Sequence, residues 1–474
     1  MTRPLLILAN RLPISRSEDA GAVGWRPSAG GLTAALRPVM NEAGGSWVGW
    51  DDGVDDVPSR VAGLDVKLHP VTLSRQLADG YYHGFANRTL WPLLHDLVVQ
   101  PIIDRSWWRS YEEANEAFVS EAKQAAQGEP PLVWVHDYHL MLAPEMLRDV
   151  FSDSPIGFFL HVPFPPPELV AQLPWRSQLL NGVLGADAVT FHTERYRDNF
   201  VRSVLRLTHG AAVVGSTIVL PDGRRVLTSS RPISIDAAAF DTIAISPETQ
   251  AELAELRAQF AGRKVFMGVD RLDYTKGIRH RLKAIETLLE RNDDLRHQFA
   301  FIQIAVPSRS NVEEYRQLRG QVEGEVGRIN GRFTEPGSDV PVHYLYRSLS
   351  RMSLSAYYQL ADVLCVTPLK DGMNLVAKEF VVSQDAGGGS GALLLSEFTG
   401  AAIEFDDAVG CNPFDVEGLA LRMESALALD EPDRRERLAT MATHVRTHDV
   451  HDWVAGCIED IEQAHADGGT TGAG

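Results

Sequence analysis

Short, uncharged apolar runs recur along the chain, and longer amphipathic stretches separate them. The runs are Leu5–Ala9, Leu132–Val135, Ile156–Leu160, Ala188–Phe191, Lys264–Val269, Phe299–Ala305, Val363–Val366 and Ala392–Leu395, with Lys264 the one edge charge. Each has the length of a buried strand and is rich in Val, Ile, Leu or Phe. Apolar residues at consecutive positions bury both faces of a sheet, which points to parallel strands covered by helices. The helix candidates are Glu112–Gln127, Glu194–Leu207, Pro247–Phe260, Gly277–Arg291, Val312–Asn330 and Leu375–Ser383.

At 474 residues the chain exceeds one ordinary core, so two or three domains are expected. The alternation falls into two sets. The first ends near residue 230, after a polar hairpin signal at Pro221-Asp222-Gly223. Arg231–Ile245 lacks clear periodicity and leads into the second set. The boundaries read from this are 1–235 and 236–431 for two Rossmann-like domains, 432–466 for C-terminal helices that could pack on either domain, and 467–474 for a Gly/Thr-rich disordered tail. Two doubly wound domains facing one another would leave a cleft at their strand ends, where ligands bind.

Composition excludes several function classes. A net charge of −18 disfavours nucleic acid and membrane surfaces as partners. No apolar run is long enough to span a bilayer, and the N-terminus reads as a first buried strand rather than a signal peptide. Cys365, Cys411 and Cys457 lie far apart without metal-ligand spacing, as small buried residues in a reducing cytoplasm would. An acidic protein can still bind anions if a few Arg and Lys are gathered at one place.

Strand ends supply such places. Lys264–Val269 leads to Arg271 and Lys276, two cations in a loop ending at Gly277, which can open a helix; the arrangement suits a diphosphate. Val363–Val366 leads to Asp371-Gly372 and a helix starting near Asn374, with first-turn amides at Leu375, Val376 and Ala377, then Lys378 and Glu379, a carboxylate able to accept from ribose hydroxyls. In the first set, Arg11 follows the first strand, Gly30-Gly31 offers a close-approach turn, and His136, Asp137, His139 and His161 end two further strands. No G-x-G-x-x-G follows a strand, which disfavours an NAD enzyme. No G-x-S-x-G elbow marks a hydrolase. The pair His136/His139 reads as a strand end rather than a zinc helix, so no metal and no cofactor is expected.

In order, the segments ANRLPI, SAGGL, WVGW, YYHGFANRTLWP, WVHDYHL, GFFLHVPFPPPE, GVDRLDYTKG, VPSR, VGRINGRF, TPLKDGMNLVAKE and LSEFTGAA resemble the trehalose-6-phosphate synthase family across nearly the whole chain. That family comprises retaining glycosyltransferases with two facing Rossmann-like domains, the GT-B architecture. The resemblance implies transfer of glucose from a nucleoside-diphosphate glucose, UDP-glucose by default, to glucose 6-phosphate. It assigns Arg271 and Lys276 to the donor diphosphate, Gly30, Gly31 and the amides of residues 375–377 to the donor, Glu379 to the ribose, and His161 and Asp371 to the transferred glucose. Leu349 stands near the base, where Phe is usual, and Lys378 falls within the donor motif. Arg11, Tyr82 and Arg309 match acceptor-phosphate ligands; Asp137 matches an acceptor-hydroxyl ligand, and Trp91 and Trp50 would wall the sugar site. The resemblance also implies a homo-oligomer, dimer or tetramer. Paralogues such as glucosylglycerol-phosphate synthases or cyclitol pseudo-glycosyltransferases would alter acceptor residues. A non-catalytic sugar-phosphate sensor would lose donor residues. Departures are Lys370 where Arg is commoner and Ser234 where Gly is common.

Overall fold

A computed structural model describes residues 3–19, 22–28, 32–33, 36–37, 40, 44–54, 56–126, 130–309 and 312–469. The chain divides into two compact units, Met1–Ile233 with Val450–Gly474, and Ser234–Asp449.

The first unit is built on a nine-stranded sheet. Its strands are β1 (Leu5–Arg11), β4 (Ser46–Trp50), β5 (Lys67–Val71), β6 (Leu132–His136), β7 (Ile156–Phe159), β8 (Ala188–Phe191), β9 (Ala212–Val214), β10 (Thr217–Val219) and β11 (Arg225–Ser230), in the order β5-β4-β1-β6-β7-β8-β11-β10-β9. β2 (Ile14–Asp19) and β3 (Ala22–Pro27) form a separate antiparallel ribbon. All strand pairs from β5 to β11 are parallel, and β10 pairs antiparallel with both β11 and β9. The second unit has a six-stranded parallel sheet of β12 (Lys264–Arg271), β13 (Phe299–Val306), β14 (Val342–Leu345), β15 (Val363–Val366), β16 (Ala392–Ser396) and β17 (Val409–Cys411), ordered β14-β13-β12-β15-β16-β17. Every apolar run singled out in the sequence is one of these strands. β1, β6, β7, β8 and β16 are buried along most or all of their length, as double-sided coverage by helices requires.

Both sheets reverse direction of winding once. In the first, β1, β4 and β5 run outward one way and β6, β7 and β8 the other, so the switch lies between β1 and β6. In the second it lies between β12 and β15. At a switch point the connections leave in opposite directions and open a crevice at the carboxyl ends of the strands.

The segment 231–245 contains a helix after all, Ala237–Ala244, capped by Asp236. The expected C-terminal group 432–466 divides. Helix Glu431–Thr447 stays with the second unit, while helix Val450–Gly469 returns to the first, and the tail's first residues, Asp467–Gly469, are helical. The return is anchored by packing. Trp453 lies 5.3 Å from Trp134 and 5.0 Å from Phe159 between ring centroids, and Arg231 makes a two-pronged pair with Asp460, Nε to Oδ2 at 2.8 Å and Nη2 to Oδ1 at 2.7 Å. Gly157 lets the helix approach there, because a Cβ would press on the Ile461 side chain. The last helix therefore backs the strands whose ends carry His136, Asp137 and His161.

Candidate active site

In the second unit the cations fall at the switch point. β12 ends at Arg271, which is exposed. The chain then turns through Tyr274–Lys276 to Gly277, whose φ of +65° and approach to the Thr367 carbonyl exclude a side chain. Gly277 opens helix Ile278–Arg291 without a side-chain cap of its own, and a helix start of this kind presents first-turn amides. Lys276 reaches across to the loop after β15, where Nζ lies 2.6 Å from Asp371 Oδ2, and Asn374 Nδ2 donates to the same oxygen at 3.1 Å. Two loops distant in sequence are thus joined by one carboxylate.

Asn374 caps helix Leu375–Ala386 by accepting from Ala377 N at 3.1 Å, in a backbone conformation of φ +94°. That commits the Ala377 amide and leaves Leu375 and Val376 as the first-turn donors of the expected set. Glu379 is half-buried, with Tyr358 Oη donating to Oε2 at 2.8 Å; burial raises its pKa. Lys378, placed by its motif in the donor set, turns its side chain into the second unit. That side chain is fully buried and paired with Glu404 at 2.9 Å, so it holds the helix to the segment Gly400–Ile403 and its neighbour. Leu349 lies half-buried just before helix Arg351–Leu360.

Behind this crevice lies a network that residue spacing did not reveal. Arg281, with no exposed surface, donates to Asp270 Oδ2 at 2.6 Å, Gln303 Oε1 at 2.8 Å and Thr367 Oγ1 at 3.0 Å. It ties the end of β12, the middle of β13 and the residue after β15 to one helix. A buried charge survives only when so paired.

Arg309 follows β13, again with a positive φ, +46°. Its Nη1 lies 3.1 Å from Asp273 Oδ2, and its side chain is 5% exposed.

In the first unit Arg11 ends β1. Its guanidinium pairs with Asp52 at 2.6 Å and lies over Trp50 at 5.4 Å and Tyr82 at 5.1 Å. Tyr82 stacks on His139 at 5.8 Å. Tyr82 sits on an unexpected element, a π-helix over Asp79–Leu90; its wider turns shift side-chain register and are frequent at functional sites. Trp91, buried, packs against His95 and Tyr138. Gly30 and Gly31 lie outside the described residues.

Asp137 and His161 end neighbouring strands. Asp137 holds φ +75°, and its Oδ1 accepts from His161 N at 3.3 Å. His136 Nδ1 and His161 Nε2 are 3.0 Å apart. Burial lowers the pKa of His136 to about 3 and, with His136 and His192 as neighbours, holds His161 well below the ordinary range. Both imidazoles are therefore neutral at pH 7. Their folded pKa values lie below the unfolded value of 6.5, so the stability they contribute is complete above pH 6.5 and is lost as pH falls below it. Stability should fall between pH 6.5 and 5 by on the order of 1 kcal/mol per pH unit for His136, and His161 adds to the fall in the same direction. Urea unfolding of wild type and His136→Phe over that range checks this: the variant should show a shallower slope.

Asp52, Asp137, Arg309 and Asn374 all hold positive φ without being glycine. Such strain costs about 1–3 kcal/mol at each position and gathers at functional sites. Among the described residues no cluster of His, Cys, Asp and Glu could hold a metal.

The sequence profile of Glycosyltransferase family 20 matches residues 3–463. The chain belongs to that family. As a family 20 glycosyltransferase it is 43% identical, over 97% of its length and 95% of the relative's, to a trehalose-6-phosphate synthase of Mycobacterium avium. It shares its fold with an α,α-trehalose-phosphate synthase (UDP-forming) from Burkholderia xenovorans, solved in complex with glucose-6-phosphate, at a TM-score of 0.88 and 34% identity over 97% of this chain and 100% of that one. A structure from E. coli bound with UDP-2-fluoro glucose matches with a TM-score of 0.88 and 33% identity over 97% and 99%. The two Rossmann-like units of this family 20 chain are those of the GT-B fold.

Proposed function

We propose that the chain moves glucose from UDP-glucose to glucose 6-phosphate, giving α,α-trehalose 6-phosphate and UDP with retention at the anomeric carbon. The observation that carries this reading is the junction of Lys276 with Asp371 at the switch point of the second unit, flanked by Arg271 and by the first turns of two helices. Cations and helix amides take the diphosphate. As the bond from the anomeric carbon to the diphosphate oxygen breaks, negative charge gathers on the leaving group, and Arg271 and Lys276 stabilise it. The acceptor hydroxyl forms the new bond, and its proton passes to the departing diphosphate.

Glu379 takes the ribose, and the Leu375 and Val376 amides take phosphate. Gly30 and Gly31 let backbone approach the donor, and Leu349 lies by the base. His161 and Asp371 orient the transferred glucose. The acceptor phosphate is assigned to Arg11, Tyr82 and Arg309, the acceptor hydroxyls to Asp137, and the sugar faces to Trp50 and Trp91. Two guanidiniums and a phenol suit a phosphate dianion, which is how a chain of net charge −18 captures acidic substrates. No cofactor or metal enters the reaction. A cytoplasmic location and a homo-oligomer of two or four copies complete the reading. The buried, unpaired Cys365, Cys411 and Cys457 suit the former.

The deciding experiment supplies purified protein with glucose 6-phosphate and UDP-, GDP- or ADP-glucose in turn and identifies the product. Trehalose 6-phosphate from UDP-glucose is expected. Product formed with glycerol 3-phosphate, and none with glucose 6-phosphate, would replace the reading with that of a paralogue.

A further inference from the structure

One carboxylate in the second unit serves two loops at once. Asp273 is 1% exposed. Its Oδ1 accepts from Thr275 N and Thr275 Oγ1, both at 3.0 Å, and so shapes the turn that presents Lys276. Its Oδ2 accepts from Arg309 Nη1 at 3.1 Å and from Tyr315 Oη at 2.9 Å. Tyr315 Oη also bonds Arg309 directly, and the guanidinium lies 5.4 Å from the Tyr315 ring. Tyr315 comes from a third element, helix Glu313–Phe333.

A buried carboxylate is stable only with its lone pairs accepted and its charge paired. Here those demands are divided between its oxygens. The two oxygens share one rigid plane, so the position of the Lys276 turn and that of the Arg309 guanidinium are set together. Arg309 sits in a left-handed conformation (φ +46°), which a residue other than glycine holds only at a cost.

We propose that Asp273 is a positioning residue that aligns the donor-diphosphate turn through Oδ1 and the acceptor-phosphate arginine through Oδ2. This rests on the roles proposed above for Lys276 and Arg309. The Tyr315 hydroxyl is the acceptor-side brace and the Thr275 hydroxyl the donor-side brace.

Both braces can be removed by near-isosteric changes. Steady-state kinetics with UDP-glucose and glucose 6-phosphate varied separately should show a split. Tyr315→Phe raises the KM for glucose 6-phosphate about tenfold and leaves the UDP-glucose KM within about twofold. Thr275→Val does the reverse, and Asp273→Asn raises both, on the scale of one hydrogen bond to a charged group. Arg309→Lys is run alongside. If it raises the KM for glucose 6-phosphate while Tyr315→Phe and Thr275→Val move both constants alike, or neither, the alignment role is overturned and Asp273 is only a structural anion. If Arg309→Lys itself leaves that KM unchanged, the acceptor role of Arg309 is wrong and the alignment falls with it.

Discussion

Arg271→Ala should lower kcat by at least about 100-fold with both substrates saturating, the scale of losing one preorganised charge stabiliser. Lys276 cannot compensate. Its ammonium is already held 2.6 Å from Asp371, so part of its charge is answered before a diphosphate arrives. Arg271 stands exposed at the end of β12, and the thermal midpoint of Arg271→Ala should stay close to wild type. The loss would then be chemical rather than structural. Arg271→Lys should restore only part of the rate, because a point charge replaces a planar fork that can bridge two phosphate oxygens. Turnover near wild type in Arg271→Ala would sink the diphosphate assignment.

Arg309→Ala should raise the KM for glucose 6-phosphate by about 10- to 100-fold, the value of hydrogen bonds to a charged group, while UDP-glucose binding persists. Donor binding survives because Asp273 keeps Thr275 on one oxygen and Tyr315 on the other when the guanidinium is gone. The variant should also lose stability, since a carboxylate with essentially no exposed side-chain surface loses its cation. Assays therefore belong well below its unfolding midpoint. Loss of donor binding with acceptor affinity intact would overturn the division of labour between these groups.

The strands were legible because parallel strands covered on both faces must be apolar at consecutive positions, and their short length and Val, Ile and Phe content separated them from buried helix segments. The edge strand β9 was not: it is three apolar residues, Ala212–Val214, exposed along their length, too short a run to mark a strand. Helices of 3.6-residue period were legible from amphipathicity, but the π-helix carrying Tyr82 was not, because its wider turns follow from packing rather than from local preference. The motif around Lys378 located the start of the helix Leu375–Ala386 correctly. It could not say which side chains of the helix face outward, and Lys378 turned out to be buried against Glu404. Asp273 looked like any aspartate in a strand-end loop, because its importance lies in two partners more than thirty positions away.

By itself the sequence determined two α/β units, the strands that build them, the cations and carboxylates at their strand ends, and the family to which those motifs belong. These follow from local hydrophobic period and from residue types at fixed spacing. Only the tertiary structure decided that the last helix returns to the first unit and that both sheets switch direction beside Arg11 and Arg271. It also decided that Lys276 and Arg309 are each held by a carboxylate from elsewhere in the chain. Amphipathicity records that a face is buried and a charge records that a partner is needed. Neither records which distant residue supplies it.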